Sequence, residues 1–318
     1  MRIDKNTVAV MLATYNGEKY LSEQIDSILN QTYLNWVLFI RDDGSTDGTS
    51  ETIDRYCESH AEKIIRVNNP SDKHGSNANF AALLLHVKEY YSFQYFMFCD
   101  QDDVWLEEKI EVTLSKMQKV ESKNRIPTLV HTDLKVVDEN LNVLGDSFFT
   151  YRALRPQITD LRHLLIQNNA TGCTMLWNKA LNDIVDDSLN NEGIFQHDWW
   201  MSLTASCFGQ IAVMDHPTIL YRQHGTNSIG ATKVNTVAFI IKRLIGSNHV
   251  KDTLVKSVIQ AGVFLSKFQK LLNKPQYETI CKYANLYKHT KLKRQITVVH
   301  EGYLKQGIVQ IIGELIFI

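Results

Sequence analysis

The chain has 318 residues, 44% hydrophobic and 22% charged, with a formal net charge of −1. That is the composition of an ordinary globular protein, long enough for one large domain or one domain with an appendage. The near-zero total hides an asymmetry: residues 1–232 carry 20 Lys and Arg against 31 Asp and Glu, and residues 233–318 carry 14 against 4, so an acidic body precedes a basic tail.

The first hundred residues alternate strand and helix. Val8-Ala9-Val10-Met11-Leu12-Ala13 is a continuous apolar run, the mark of a strand buried on both faces. Asn16-Gly17 then opens a helix with Tyr20, Leu21, Ile25, Ile28 and Leu29 on one face. Trp36 to Ile40 reads as a second strand, Thr49 to Tyr56 as a helix and Ile64 to Val67 as a third strand. Asn77 to Tyr90 is a helix with apolar Phe80, Leu83, Leu84 and Val87, and Tyr95 to Cys99 is a fourth strand. Three βαβ units in a row predict a parallel sheet with helices on both faces. Ligands of such sheets gather at the carboxyl ends of strands.

The middle is mixed. Leu129 to Val137 alternates as a strand, Thr159 to Gln167 looks helical, Cys173 to Trp177 extended and His197 to Phe208 helical. Ile211 to Met214 and Thr218 to Tyr221 read as two short strands. After Thr232 the chain turns basic and helical. Val237, Ile240, Ile241, Leu244 and Ile245 form one apolar stripe, and Leu304, Ile308, Ile311, Ile312 and Leu315 another. Such helices either pack on the body or on a second subunit, forming a homodimer, or lie on a membrane with lysines against the anionic lipids of the inner leaflet. The implied organisation is a body over 1–232, divided near residue 103, and a helical region over 233–318.

No stretch reaches the about 18–20 apolar residues that span a bilayer, and the N-terminus runs almost directly into a strand without a signal-peptide pattern. The five cysteines, Cys57, Cys99, Cys173, Cys207 and Cys281, are scattered and lack zinc-type spacing. They read as reduced thiols of a cytoplasmic protein, peripheral at the inner face of the membrane if the tail binds lipid.

The most informative segment is Cys99-Asp100-Gln101-Asp102-Asp103-Val104-Trp105, three carboxylates within four residues at a strand's end. Confining that charge is costly unless a cation or hydrogen-bond donors compensate, and hard oxygen ligands suit Mg²⁺ or Mn²⁺. A solvated acidic turn capping the next helix is the plainer alternative. Asp42-Asp43-Gly44-Ser45-Thr46-Asp47-Gly48-Thr49 closes the second strand. Its glycines permit a sharp turn near a ligand, and Asp42 or Asp43 can accept from a pyrimidine N–H or a ribose hydroxyl. Thr46 or Asp47 can cap the next helix. Thr14 and Asn16, at the adjacent strand end, offer short polar side chains to base and ribose.

These motifs together resemble the inverting family 2 glycosyltransferases of the GT-A fold, over about Val8 to Ile229. Asp-Gln-Asp-Asp-Val-Trp, His197-Asp198-Trp199-Trp200 and Tyr221-Arg222-Gln223-His224-Gly225-Thr226-Asn227-Ser228 resemble the bacterial branch that builds rhamnose-containing capsules, O-antigens and wall polysaccharides. The resemblance implies an α/β, Rossmann-like, mostly parallel sheet flanked by helices, extended by the basic helical region. The N-terminal half would bind the nucleotide sugar and residues 104–232 the acceptor.

By the same resemblance Asp42 or Asp43 would hold the base and Asp100 the ribose. Asp102, with Asp103 as a stand-in, would bind the divalent metal, and Asn77 would contact the donor. Asp198 would be the catalytic base, with an N-cap for the following helix as its structural alternative. His224 would serve the metal or the diphosphate, and Arg222 would be a second diphosphate contact. Gly172 would leave room on the acceptor floor; Trp199 and Trp200 would either stack on sugars or pack in the core. The processive motif Gln-x-x-Arg-Trp is replaced by Tyr-Arg-Gln-His, which implies one or a few sugars added to a lipid-linked acceptor. The expected donor is dTDP-L-rhamnose, with a UDP-hexose as the alternative. A nucleotidyltransferase would need a Gly- and Lys/Arg-rich triphosphate loop that residues 13–17 lack, and an inactive scaffold would not need Asp102, Asp198 and His224. The tail lacks the interleaved aromatic and Arg pattern of a nucleic-acid binder.

Overall fold

The computed structural model describes residues 3–69, 73–185, 188–225 and 247–318. The apolar stripe of Val237 to Ile245, and Thr226-Asn227-Ser228, lie outside them.

The elements in chain order are β1 (Val8–Thr14), α1 (Leu21–Leu29), β2 (Trp36–Asp42), α2 (Thr49–Ser59), β3 (Ile64–Arg66), α3 (Ser76–Tyr90), β4 (Tyr95–Asp100), β5 (Val104–Trp105) and α4 (Lys109–Glu121). There follow β6 (Thr128–Val137), β7 (Val143–Gly145), α5 (Phe148–Tyr151), α6 (Leu161–Ile166), β8 (Met175–Asn178), α7 (Lys179–Val185), α8 (His197–Phe208) and β9 (Gln210–Arg222). Four further helices are α9 (Ser247–Phe268), α10 (Lys274–Ala284), α11 (Lys291–Glu301) and α12 (Ile308–Phe317).

The sheet runs β3-β2-β1-β4-β8-β6-β9-β5, with β7 on the side of β6. The first four strands are parallel, as three consecutive right-handed crossovers require. Beyond β4 the sheet is mixed: β8 runs antiparallel to β4 and β6, β9 parallel to β6, and β5 antiparallel to β9. The register aligns Thr14 with Asp42 and Ala13 with Asp100, so the polar ends of three neighbouring strands fall side by side.

The period-2 alternation of a strand divides the core into two layers. Ala9, Met11, Phe39, Phe96 and Phe98 face α3, α6, α8 and the C-terminal helices, while Val8, Val10, Leu12, Leu38 and Met97 face α1 and α4. Val250, Leu254, Phe264, Tyr283 and Tyr303 belong to the same buried cluster as Trp199 and Trp200. The basic helical region is therefore packed into the body.

Two elements differ from the sequence reading. Ile211–Met214 and Thr218–Tyr221 are one strand, β9, whose register with β6 slips where Met214 and Pro217 pair with consecutive residues. A proline cannot donate to a ladder and sits at such irregularities, which made one bulged strand look like two. Cys173 begins in a single 3₁₀ turn, Gly172–Thr174, before β8 becomes extended.

Candidate active site

The carboxyl ends of β1, β2 and β4 open into a cavity of about 1140 Å³. Its first wall is tied together by short polar side chains. Gln101 Oε1 accepts from Thr14 Oγ1 at 2.6 Å and Tyr15 N at 2.8 Å, and its Nε2 donates to Tyr15 O, joining the loops after β1 and β4. Asn16 adopts a left-handed φ of 48°, a conformation asparagine tolerates better than most residues. Its Oδ1 accepts from Thr46 N at 2.9 Å, which clips the loop after β1 to the loop after β2. Asp42 closes that second loop by accepting from Ser45 N, and Asp47 accepts from Thr49 N at the start of α2.

Asp43 is the anchor of this corner. Its Oδ2 accepts from Gly75 N at 2.6 Å, ahead of α3, and its Oδ1 lies 3.5 Å from the fully buried Arg41 and 3.4 Å from His74. Arg41 also donates to Asn79 Oδ1 at 2.8 Å, and Asn79 Nδ2 reaches Thr14 O and Arg41 O. Asn79 lines the cavity. Asn77 is occupied elsewhere: its Nδ2 donates to Ile194 O and its Oδ1 accepts from His197 N at 2.9 Å. The structure thus places Asn77 as a tie between α3 and α8, with Asn79 as the asparagine that lines the cavity.

The acidic run at the end of β4 splits by depth. Asp100 and Asp102 line the cavity, while Asp103 is fully buried and accepts from Arg222 N at 3.2 Å. Oxygens of Asp100 and Asp103 and the Cys173 sulfur fall within 4.8 Å of one another. Burial, then the neighbouring Asp102 and Asp198, pushes the Asp100 carboxyl up to about 7. Burial with Asp102 and Asp100 nearby pushes Asp103 well above the usual range. Lys109, also fully buried, lies 4.7 Å from the Trp105 ring, and burial pushes it down to about 8 against the opposing pull of Cys173, Cys99 and Asp103. Like charges crowded in this way are the arrangement a bound cation relieves. Asp102 Oδ2 lies 2.8 Å from His224 Nε2, an oxygen and an imidazole nitrogen side by side, a donor set suited to Mn²⁺. The residues fit a divalent metal, which Asp102 and His224 would hold with Asp103 behind them in the wall.

Arg222 differs from the diphosphate contact expected of it. Only 2% exposed, it donates from Nε to Asp102 O at 2.9 Å, from Nη1 to Glu139 O at 2.7 Å and from Nη2 to Glu23. Its guanidinium stacks over Tyr20, 4.6 Å from the ring centroid. A fork so engaged fixes the loops around Asp102; it does not reach into the cavity.

The same cavity is lined by Asp198 in the first turn of α8. Its Oδ1 accepts from Trp199 N at 2.6 Å and its Oδ2 from Gly172 N at 3.3 Å. Burial pushes the carboxyl up to about 6. Gly172 is required by space: a Cβ there would sit 2.5 Å from His197 Nε2 and 3.4 Å from Asp198 Cβ. His197 cannot give way easily, since its ring lies 4.2 Å from Phe80 and 4.9 Å from Phe98. Trp199 lines the cavity and donates to Leu164 O. Trp200 is fully buried, donates to Ser188 Oγ and packs on Phe264 and Phe268. Of the two alternatives for Trp200, the core is the one realised, and its role as an acceptor platform is withdrawn.

The far end of the cavity was not foreseen. His249, Val250 and Thr253 of α9, Lys305 and Gln310 wall it together with Arg152 and Gln167. Gln306 and Gln310 are stitched to this wall by Gln306 N to Gln167 Oε1 at 2.8 Å and Gln167 Nε2 to Gln310 Oε1 at 3.2 Å. The only local hint was polar Gln310 and Glu314 on an otherwise apolar helix.

A Rossmann-like half-sheet, an Asp-rich turn at the end of its fourth strand and a further carboxylate lining the same cavity define a GT-A glycosyltransferase. The chain belongs to glycosyl transferase family 2, whose profile matches residues 9–185. It is 29% identical over 226 residues, 69% of this chain and 74% of the other, to the dTDP-rhamnosyl transferase RfbG of Shigella flexneri. It is 28% identical over 171 residues to WfgD of Escherichia coli, a UDP-Glc:alpha-D-GlcNAc-diphosphoundecaprenol beta-1,3-glucosyltransferase. That second match covers 54% of this chain and 59% of WfgD, less than two thirds of it. Among solved structures, TarS 1-349 of S. aureus in complex with UDP-GlcNAc superposes with a TM-score of 0.54 at 14% identity, covering 97% of this chain and 89% of that one. At that identity the likeness is one of fold.

Proposed function

We propose that this glycosyltransferase is inverting and non-processive, moving L-rhamnose from dTDP-L-rhamnose to a hydroxyl of a lipid-linked saccharide in bacterial surface polysaccharide synthesis. The reading is carried by Asp198, a half-buried carboxylate that lines the same cavity as Asp100 and Asp102. Likeness to RfbG supports the choice of donor.

Asp198 takes the acceptor proton as the hydroxyl oxygen attacks the anomeric carbon. The bond from that carbon to the diphosphate oxygen breaks, and its electron pair leaves with the nucleotide. A single displacement of this kind inverts the configuration. The hydrogen bonds from Trp199 N and Gly172 N hold the carboxylate in place, and a base so positioned contributes about 10²–10⁴-fold. Mn²⁺ or Mg²⁺ held by Asp102 and His224 would neutralise charge on the departing diphosphate. Asp43, Asn79 and Thr14 shape the corner where base and ribose would lie.

Nucleotide release from a panel of dTDP- and UDP-sugars, with Mn²⁺ or Mg²⁺ and with EDTA, tests this in the presence of a lipid-linked saccharide acceptor. EDTA-sensitive release from dTDP-L-rhamnose is expected. Release from a UDP-hexose alone replaces the donor and favours the second reading, a UDP-hexose-dependent transferase, for which the likeness to WfgD speaks. Release that survives EDTA removes the metal.

A further inference from the structure

Helix α12 is amphipathic with the wrong side out. Its polar side chains Gln310 and Glu314 are buried, while Ile308, Ile312 and Ile316, spaced four apart, are exposed, Ile308 by 78%. The buried side bonds within the protein: Glu314 Oε2 accepts from Lys305 N at 2.8 Å and Gln310 Oε1 accepts from Gln167, while Glu314 Oε1 has no hydrogen-bond partner among the described residues. A helix on a water-facing surface normally shows the opposite pattern.

The neighbouring α11 repeats it. Leu292, Ile296 and Val299, at i, i+4 and i+7, are exposed, Leu292 by 68%, and Val298 is its one buried hydrophobic residue. Gln295 Nε2 donates to Leu315 O at 2.7 Å, which sets the two helices side by side. Exposed Lys291 and Lys293 flank Leu292 on α11. Apolar patches of this kind on one surface mark an interaction site.

We infer that α11 and α12 form a docking face for an anionic lipid surface, with the isoleucines and leucine at the acyl boundary and the lysines on the headgroups. Charge complementarity selects this occupant: α11 carries Lys291, Lys293 and Arg294 against Glu301 alone, and each cation near an anionic leaflet contributes about 1 kcal/mol. A two-fold dimer through this face would instead bring the same basic surface of each copy together. No helix among the described residues is long and apolar enough to cross a membrane, so the contact is interfacial. The opposite, polar side of α12 supplies Gln310 to the cavity wall. Docking would therefore set the far end of the cavity one helix thickness from the lipid.

The test needs neither nucleotide nor acceptor, so it stands or falls apart from the assigned reaction. The full chain is co-sedimented with phosphatidylcholine vesicles with and without phosphatidylglycerol. Binding that requires phosphatidylglycerol is expected, lowered about tenfold or more by Leu292→Glu/Ile296→Glu/Ile308→Glu/Ile312→Glu. Lys291→Gln/Lys293→Gln, exposed changes that leave the core untouched, should lower it by about thirtyfold. A wild-type chain that stays in the supernatant with anionic vesicles overturns the inference. So does a dimer that the four glutamates split, in a chain that leaves vesicles unbound; the face would then belong to a second copy.

Discussion

Asp198 is a carboxylate that burial raises to about 6 while two backbone N–H groups pull it back. Its basic form is populated above that value, so kcat should climb from pH 5 to 7 and then level off. Asp198→Asn should remove the climb and at least about 10²-fold of the rate while donor affinity stays within twofold. A variant keeping more than a tenth of the wild-type rate would displace Asp198 as the base. Asp102 predicts the reverse pattern. Asp102→Ala takes away one side of the 2.8 Å pair with His224, and calorimetry should then show nucleotide affinity that no longer responds to Mn²⁺. An unaltered response would move the metal to Asp100 and Asp103.

Between elements, the contacts that matter are those that join loops. Gly172 admits α8 to the turn before β8, and Gly172→Ala would drive a methyl into the His197 ring. The first turn of α8 would shift and carry Asp198 with it. Displacements near 1 Å cost about 10²-fold in rate, so kcat should fall by one to two orders of magnitude with donor Kd unchanged. Arg222 joins β9 to the Asp102 loop and to Glu23 of α1. Arg222→Ala should cost on the order of 3 kcal/mol of stability, read as a lower melting temperature. Were it a diphosphate contact instead, donor affinity would fall while stability held.

These joints explain what the sequence made legible. The four parallel strands, α1 to α3 and α8 follow from periodicity and lie within a few residues of where the pattern puts them. The acidic motifs sit at strand ends because parallel βαβ units leave no other place for them. Local pattern does not reveal which of Asn77 and Asn79 turns toward the cavity. Two residues apart on a helix, they face opposite ways, and the direction is set by packing on α8. Nor does it reveal that Arg222 is held by residues 83 to 199 positions away, or that β9 bridges its own bulge. The far wall escaped because Lys305 and Gln310 reach the cavity only through tertiary packing.

For the molecule as a whole, acid stability is a separate test. His131 is fully buried in β6, and burial pushes it down to about 4. It is neutral when folded and protonates near 6.5 when unfolded. Its contribution is thus complete above about 6.5 and is lost as pH falls toward 4, about 3 kcal/mol in all. The raised carboxyls of Asp100, Asp103 and Asp198 work in the opposite sense, gaining stability over part of the same range. The comparison that isolates the histidine is therefore melting temperature against pH for wild type and His131→Leu. The variant should lose less between pH 6.5 and 4; equal slopes would exclude His131 as a source of acid sensitivity.

The bond between Arg222 and Glu23 spans 199 positions of chain, and Gln310 arrives later still. During synthesis the nucleotide corner can pair its first four strands early, since all are in hand by Asp100. The Asp102 loop has to wait for β9 before it is pinned, and the far end of the cavity stays open until α12 has been made. A growing chain therefore completes the two ends of this cavity at different times, the corner at the strand ends before the wall that Gln310 supplies.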